Sequence, residues 1–256
     1  MTRHAVKIDQ AFLRPIAHRG LHDRGAGRIE NTGPAFAAAI ARGYGIECDL
    51  RAAAGGLPIV FHDETLERLV NGMGLVARLT LNDLKQLCYR GQETPIMTFA
   101  DLLHLVAGAV PLLVEIKSEW DPPNAAFLTQ IAAATHGYRG PIALMSFDPA
   151  VVSALADLAP TVPRGLVSGS YQASEGDRWW HDRLSPARAA SLRDMTDFDA
   201  VGASFCAYEV AALPTSATRA LRSRGMPVFT WTVRTEADRT SAVANADAAI
   251  FEGFEP

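Results

Sequence analysis

The sequence predicts an α/β fold, a (β/α)8 barrel with a small insertion after its third strand, and three observations carry that reading. Short apolar runs alternate with Ala-rich helical stretches from end to end, the pattern of parallel strands joined by crossover helices. Ionisable residues recur at the C-terminal ends of successive apolar runs, where such a barrel carries its functional groups. A polar stretch over residues 64–95, with turn residues from Asn71 to Gly74, interrupts the alternation.

In chain order the strand candidates are residues 15–20, 44–50, 57–63, 110–118, 141–147, 163–169, 199–205, 226–233 and 246–252. Nine runs for an eight-stranded barrel leave one of them peripheral. Helix candidates lie between. Residues 32–43 start at Thr32, a candidate cap, carry Pro34 in the first turn and stop at Gly43. Residues 97–108, 124–137, 149–159 and 213–225 read as further helices. Residues 170–186 read as a loop over the top of the sheet, whose Trp179 and Trp180 either rim a lipid-like substrate or pack within the loop. Residues 1–256 are expected to form one barrel domain, with 64–95 as its insertion.

Composition narrows the function. With 256 residues, 48% of them hydrophobic, the chain has material for a sizeable core. A net charge of −4 and scattered Lys and Arg residues provide no basic field for nucleic acid. Cys48, Cys88 and Cys206 are too far apart to indicate a disulfide framework or a thiolate metal site, which fits a reducing compartment. The first residues lack the apolar stretch of a secretion signal, and no window has the length of a membrane span. A cytoplasmic protein without stable membrane insertion is expected.

The stretch IECDL at 46–50 is unusual for a buried strand. Alternation places Glu47 and Asp49 on one face and Ile46, Cys48 and Leu50 on the other, so Cys48 is expected in the core. Two carboxylates in a poorly solvated place repel each other and are costly to bury unpaired. Glu115 and Lys117 repeat the spacing and bring a third acid to the same end. Three carboxylates without sulfur form a hard oxygen site that favours Mg²⁺ or Ca²⁺ over zinc. The competing arrangement is a buried salt-bridge network in which Lys117 and Arg19 neutralise the acids, although three acids against two cations leave one charge unbalanced. His18 and Arg19 close the first run, and His62 and Asp63 the third.

The stretches AHRGLHDRGAGRIENTGPAF, GIECDL, VFHDETLERLVNGMG and VEIK resemble the motifs of the glycerophosphodiester phosphodiesterase family, with HRG, ENT, ExD, HD and ExK in the same order. Ser146–Phe147 and Trp231 to Val233 extend the resemblance over nearly the whole chain. It implies a TIM barrel and a divalent cation held by Glu47, Asp49 and Glu115. It further implies that His18 and His62 exchange protons with the substrate and that Arg19 and Lys117 hold the phosphate. The implied reaction is hydrolysis of a small-molecule glycerophosphodiester to sn-glycerol 3-phosphate and an alcohol. In this family the closing strand usually reads TD followed closely by Pro, whereas this chain ends FEGFEP, with Glu252 near the usual Asp.

Histidine titrates near neutrality, so either histidine suits the base or the acid role. Attack by the glycerol 2-hydroxyl and attack by water use the same residues. Rival readings are a phospholipase C- or D-type hydrolase of lipid phosphodiesters and a catalytically silent barrel that binds a phosphorylated polyol. The intact histidine pair speaks against the second. Glu30 and Asn31 either support the site or cap the following helix, and Trp231 lies either against the substrate or in the core.

Overall fold

The computed structural model describes residues 5–120, 122–172, 180 and 182–256. Its strands in chain order are β1 (Ile16–Ala17), β2 (Gly45–Ala52), β3 (Pro58–Val60), β4 (Leu112–Ile116), β5 (Ile142–Ser146), β6 (Arg164–Ser168), β7 (Phe205–Glu209), β8 (Val228–Val233) and β9 (Ala248–Phe251). Eight of these pair in parallel around a closed ring, β1-β2-β4-β5-β6-β7-β8-β9, and β9 returns to β1. This is the predicted (β/α)8 barrel.

The peripheral strand is β3. It runs antiparallel to β2, with Leu50 opposite Val60 and Ala52 opposite Pro58. The reason is chain length: a parallel return needs a crossover of a dozen or more residues, and only Ala53 to Leu57 separate the two strands. Gly55 and Gly56, at φ of 68° and 75°, reverse the chain there. His62 and Asp63 therefore follow a strand that folds back beside the barrel, not a barrel strand. The predicted strand at 199–205 is also displaced, because residues 199–204 form turns and β7 begins at Phe205. Val201 and Ala203 fill a cluster with Phe198 and Leu221, so their apolarity serves packing.

Alternation sorts the strand side chains. Ile46, Cys48 and Leu50 of β2, with Leu112, Val114 and Ile116 of β4, pack outward among Phe36, Leu102 and Phe127. Leu113, Ala143, Val167, Phe205 and Phe229 fill the inside of the barrel. Removing this apolar surface from water is the main stabilising contribution, and it leaves Glu47, Asp49 and Glu115 on the inner side.

The helices are α1 (Gly33–Arg42), α2 (Leu81–Gln86), α3 (Phe99–Val106), α4 (Ala125–His136), α5 (Pro149–Leu158), α6 (Pro186–Arg193), α7 (Ser216–Ser223) and α8 (Glu236–Asn245). Five were predicted. Their ends follow local chemistry: Thr98 and Asp101 form a capping box on α3, and Asn124 and Asp148 cap α4 and α5. Thr32 occupies the cap position of α1, but its hydroxyl donates to the Ile29 carbonyl at 2.6 Å. α8 escaped notice because Ala242 is its one buried residue, too thin an apolar stripe to register. The 64–95 segment has a small core of Leu66, Leu69, Val70, Val76, Leu84 and Tyr89, anchored on Ile59 and Phe61. Trp179 lies outside the described residues; Trp180 is half-buried, edge-on to Tyr171 at 5.8 Å. Among the described residues no helix is long and apolar enough to cross a membrane.

Gly20 fixes the turn that leaves β1. Its φ is +78°, and an added Cβ would lie 2.9 Å from the Ala35 backbone. Gly20→Ala is expected to destabilise the fold by about 2–4 kcal/mol through left-handed strain and overpacking. Urea unfolding of the variant against the parent measures this, and a difference below about 0.5 kcal/mol contradicts it.

Candidate active site

Parallel register places Asp49 of β2 opposite Glu115 of β4, and alternation puts Glu47 two residues earlier on the same face. All three carboxylates are buried, at 1%, 1% and 8% exposure for Glu47, Asp49 and Glu115. One oxygen from each lies within 4.8 Å of the others.

Asp49 is surrounded by donors. Lys117 Nζ lies 2.8 Å from its Oδ1, Arg19 Nε 3.2 Å from its Oδ2, and Asn31 Nδ2 donates to Oδ2 at 2.8 Å. Burial opposes its ionisation, but Lys117, His62 and Arg19 outweigh burial and hold the carboxyl well below its usual range. Glu47 has the opposite balance. Burial, then Asp49 and Glu115, push its carboxyl well up, and Arg19 offsets this only in part through its charge and a 2.9 Å backbone N–H bond. Lys117 also touches Glu115 Oε1 at 2.5 Å. The salt-bridge network foreseen as the competing arrangement is therefore present, and it leaves Glu47 as the uncompensated acid. Three clustered oxygen donors, one of them without a cation of its own, fit a hard divalent cation.

Each histidine is tied to a carboxylate through Nδ1. His18 Nδ1 donates to Glu252 Oε2 at 2.5 Å, and its Nε2 lies 4.0 Å from Glu47 Oε2. His62 Nδ1 donates to Asp63 Oδ1 at 2.7 Å. Burial lowers the pKa of both rings, with Arg19 adding to the effect at His18 and Lys117 at His62, so neutral imidazole is favoured.

A continuous polar chain supports these groups. Arg68 donates to both oxygens of Asp63, at 2.6 and 2.9 Å, and to both oxygens of Glu30, at 2.8 and 2.7 Å. Glu30 in turn accepts from Arg19 at 2.6 Å. Glu30 and Asn31 thus brace Arg19 and Asp49, and neither caps α1. Arg68 belongs to the 64–95 insertion, and nothing in its sequence context (LERLVNG) distinguishes it from a surface arginine.

His18, Arg19, Glu47, His62, Glu115 and Lys117 line a cavity of about 630 Å³ together with the edge-to-face pair Phe147 and Trp231, 5.4 Å apart. The Trp231 indole N–H donates to the Ala207 carbonyl at 3.2 Å, which fixes the ring at the wall. A groove of similar size, about 640 Å³, lies between Leu84, Phe99 and Ala134 but gathers no comparable set of titratable groups. At the cavity mouth Arg51, Glu119, Arg183 and Glu64 form a ring of alternating charge, with contacts of 2.9, 3.3, 2.5 and 3.9 Å. No short motif marked those four.

Glu30 supplies a pH test. Burial works against its charge, yet the Arg68 bonds and Arg19 bring its pKa from 4.5 down to about 2. A depressed carboxylate pKa stabilises the fold above the unfolded value and loses that contribution as pH falls through the folded value. Glu30→Gln is expected to cost of order 2–3 kcal/mol at pH 7, and the gap from the parent should shrink between pH 4.5 and 2. Unfolding free energies at pH 7 and pH 3 check this; a gap independent of pH overturns it.

Comparison with known proteins agrees with this geometry. The model of the "Glycerophosphoryl diester phosphodiesterase family" matches residues 18–252. "Probable glycerophosphodiester phosphodiesterase 1" of Mycobacterium tuberculosis is 31% identical over 175 residues, 59% of this chain and 63% of that protein. This chain thus spans a little under two thirds of that relative. The glycerophosphodiester phosphodiesterase of Bacillus subtilis is 28% identical over 214 residues, 75% of this chain and 68% of that protein. An Oleispira antarctica phosphodiesterase solved in complex with the product sn-glycerol-3-phosphate shares the fold, with a TM-score of 0.72, 20% identity and coverage of 93% and 92%. With the family pattern matched from His18 to Glu252 and its acidic and histidine residues gathered at one end of a closed barrel, the chain belongs to the glycerophosphoryl diester phosphodiesterase family.

Proposed function

We propose that this protein is a phosphoric diester hydrolase that cleaves glycerophosphodiesters to sn-glycerol 3-phosphate and an alcohol. One observation carries the reading: Glu47 and Glu115, with Asp49 buried against them, share a single cavity with the two Nδ1-anchored histidines. The product named for the Oleispira complex supports the substrate class.

A phosphodiester is an anion with a poor alkoxide leaving group, so its hydrolysis needs charge neutralisation, a base and an acid. Glu47, Asp49 and Glu115 would hold Mg²⁺ or Ca²⁺, which when bound supplies charge stabilisation at a phosphoryl oxygen. Arg19, braced by Glu30 and Asp49, has further N–H groups for the phosphate, and Lys117 retains a third N–H beyond its two carboxylate contacts. One neutral imidazole takes the proton of the attacking hydroxyl, from water or the glycerol 2-position, and the other, which has to enter this step as imidazolium, gives its Nε2 proton to the departing alkoxide and is left neutral. If a cyclic phosphate forms first, the two exchange roles for its opening. The Phe147–Trp231 wall offers an apolar surface to the carbon skeleton of the diester. The free state of all three cysteines supports a cytoplasmic setting.

His18→Ala and His62→Ala are each expected to lower kcat by about 10²–10⁴-fold. Glu47→Ala is expected to abolish the activity that added metal supports. A chelator should remove activity, and added Mg²⁺ or Ca²⁺ should restore it. The assay is release of sn-glycerol 3-phosphate from glycerophosphocholine, glycerophosphoethanolamine and glycerophosphoglycerol, and of lysophosphatidate from a lysophospholipid. Near-parental rates in the variants would falsify the proposal, and phosphocholine in place of glycerol 3-phosphate would identify a phospholipase C-type enzyme.

A further inference from the structure

Glu252 meets His18 because the barrel closes. β9 lies beside β1 with Ala17 next to Phe251, and the His18 N–H bonds the Phe251 carbonyl at 2.9 Å, so the register brings residue 252 next to residue 18. The Glu252 backbone N–H is itself tied to the Val233 carbonyl at 3.1 Å. Its two carboxylate oxygens are both engaged: Oε2 accepts from His18 Nδ1 at 2.5 Å, and Oε1 accepts from Arg234 Nε at 2.5 Å. His22 Nε2 lies 3.4 Å from the same Oε2.

An ionised carboxylate only accepts, so this contact requires the proton of a neutral His18 ring to sit on Nδ1. The lone pair is then on Nε2, the nitrogen 4.0 Å from Glu47 and open to the cavity. We propose that Glu252, clamped by Arg234, is a positioning residue that selects the Nδ1–H tautomer of His18 and so turns the Nε2 lone pair toward the cavity. An aspartate, one methylene shorter, would have to reach the ring from a backbone placed closer to it. The clamp is independent of the one on His62, where Asp63 is held by Arg68 of the insertion. The two histidines are therefore oriented from opposite sides of the site, His18 by the last two strands and His62 by the insertion. The logic is that of any base oriented by a third group.

This inference rests on His18 acting in proton transfer, and the test separates the two claims. Glu252→Gln keeps size and some hydrogen bonding but no longer demands a proton on Nδ1. It is expected to lower kcat at least about tenfold with KM within about twofold. In long-range ¹H–¹⁵N spectra of histidine-labelled protein, at a pH where the ring is neutral, parental His18 should show the Nδ1–H tautomer and Glu252→Gln should lose that preference. An unchanged tautomer, or a kcat within twofold of the parent, overturns the proposal. If Glu252→Gln fails to fold, Arg234→Gln, which frees Oε1 from an exposed partner, should shift both readouts in the same direction, and no change in either refutes the positioning role. A parent that hydrolyses no glycerophosphodiester defeats the proposed function alone; the tautomer measurement then still decides what Glu252 does.

Discussion

Three carboxylates with oxygens within 4.8 Å of one another, almost out of water, are the constraint to which the rest of the site answers. Burying each acid is unfavourable unless it gains a cation or good donors. Asp49 has Lys117, Arg19 and Asn31, whereas Glu47 has one backbone N–H and the partial influence of the Arg19 charge. That asymmetry leaves Glu47 without a cation of its own, the place a hard divalent cation would fill. It also accounts for the strained turn after β1. Arg19 at φ +56° and Gly20 at φ +78° let one short segment direct a backbone N–H at Glu47 and a guanidinium at Asp49.

Around this cluster the supporting groups come from distant parts of the chain. The insertion delivers Arg68, which joins Asp63 to Glu30 and, through Glu30, to Arg19, so one guanidinium connects the partner of His62 with the brace of Arg19. The closing strand delivers Glu252 to His18. Several donors on each of Glu30, Asp63 and Glu252 restrict the rotamers of these supporting carboxylates.

Much of the fold was legible because its period was. The strands read as apolar runs, and α1, α3, α4, α5 and α7 read as helices with recognisable ends. Where the reading failed, a specific competing effect won. The antiparallel course of β3 was implied by a connection too short for a crossover, but the run resembled its neighbours. Residues 199–204 carry strand-like composition because a turn there also packs against the core. The acids and histidines of the site stood out because ionisable residues at the ends of buried strands are rare. Arg68, Arg51 and Arg183 did not, since nothing in their sequence context sets them apart from surface arginines.

The sequence by itself determined which residue types could do chemistry, since alternation along IECDL and VEIK places Glu47, Asp49, Glu115 and Lys117 on inward faces without reference to the rest of the chain. Only the tertiary structure decided how they are balanced. Strand register set Asp49 opposite Glu115, barrel closure brought Glu252 to His18 across 234 residues, and the insertion folded Arg68 onto Glu30 and Asp63. Local periodicity fixes the face on which a side chain lies, whereas the electrostatic partner of a buried charge depends on which distant segment packing brings within hydrogen-bond reach.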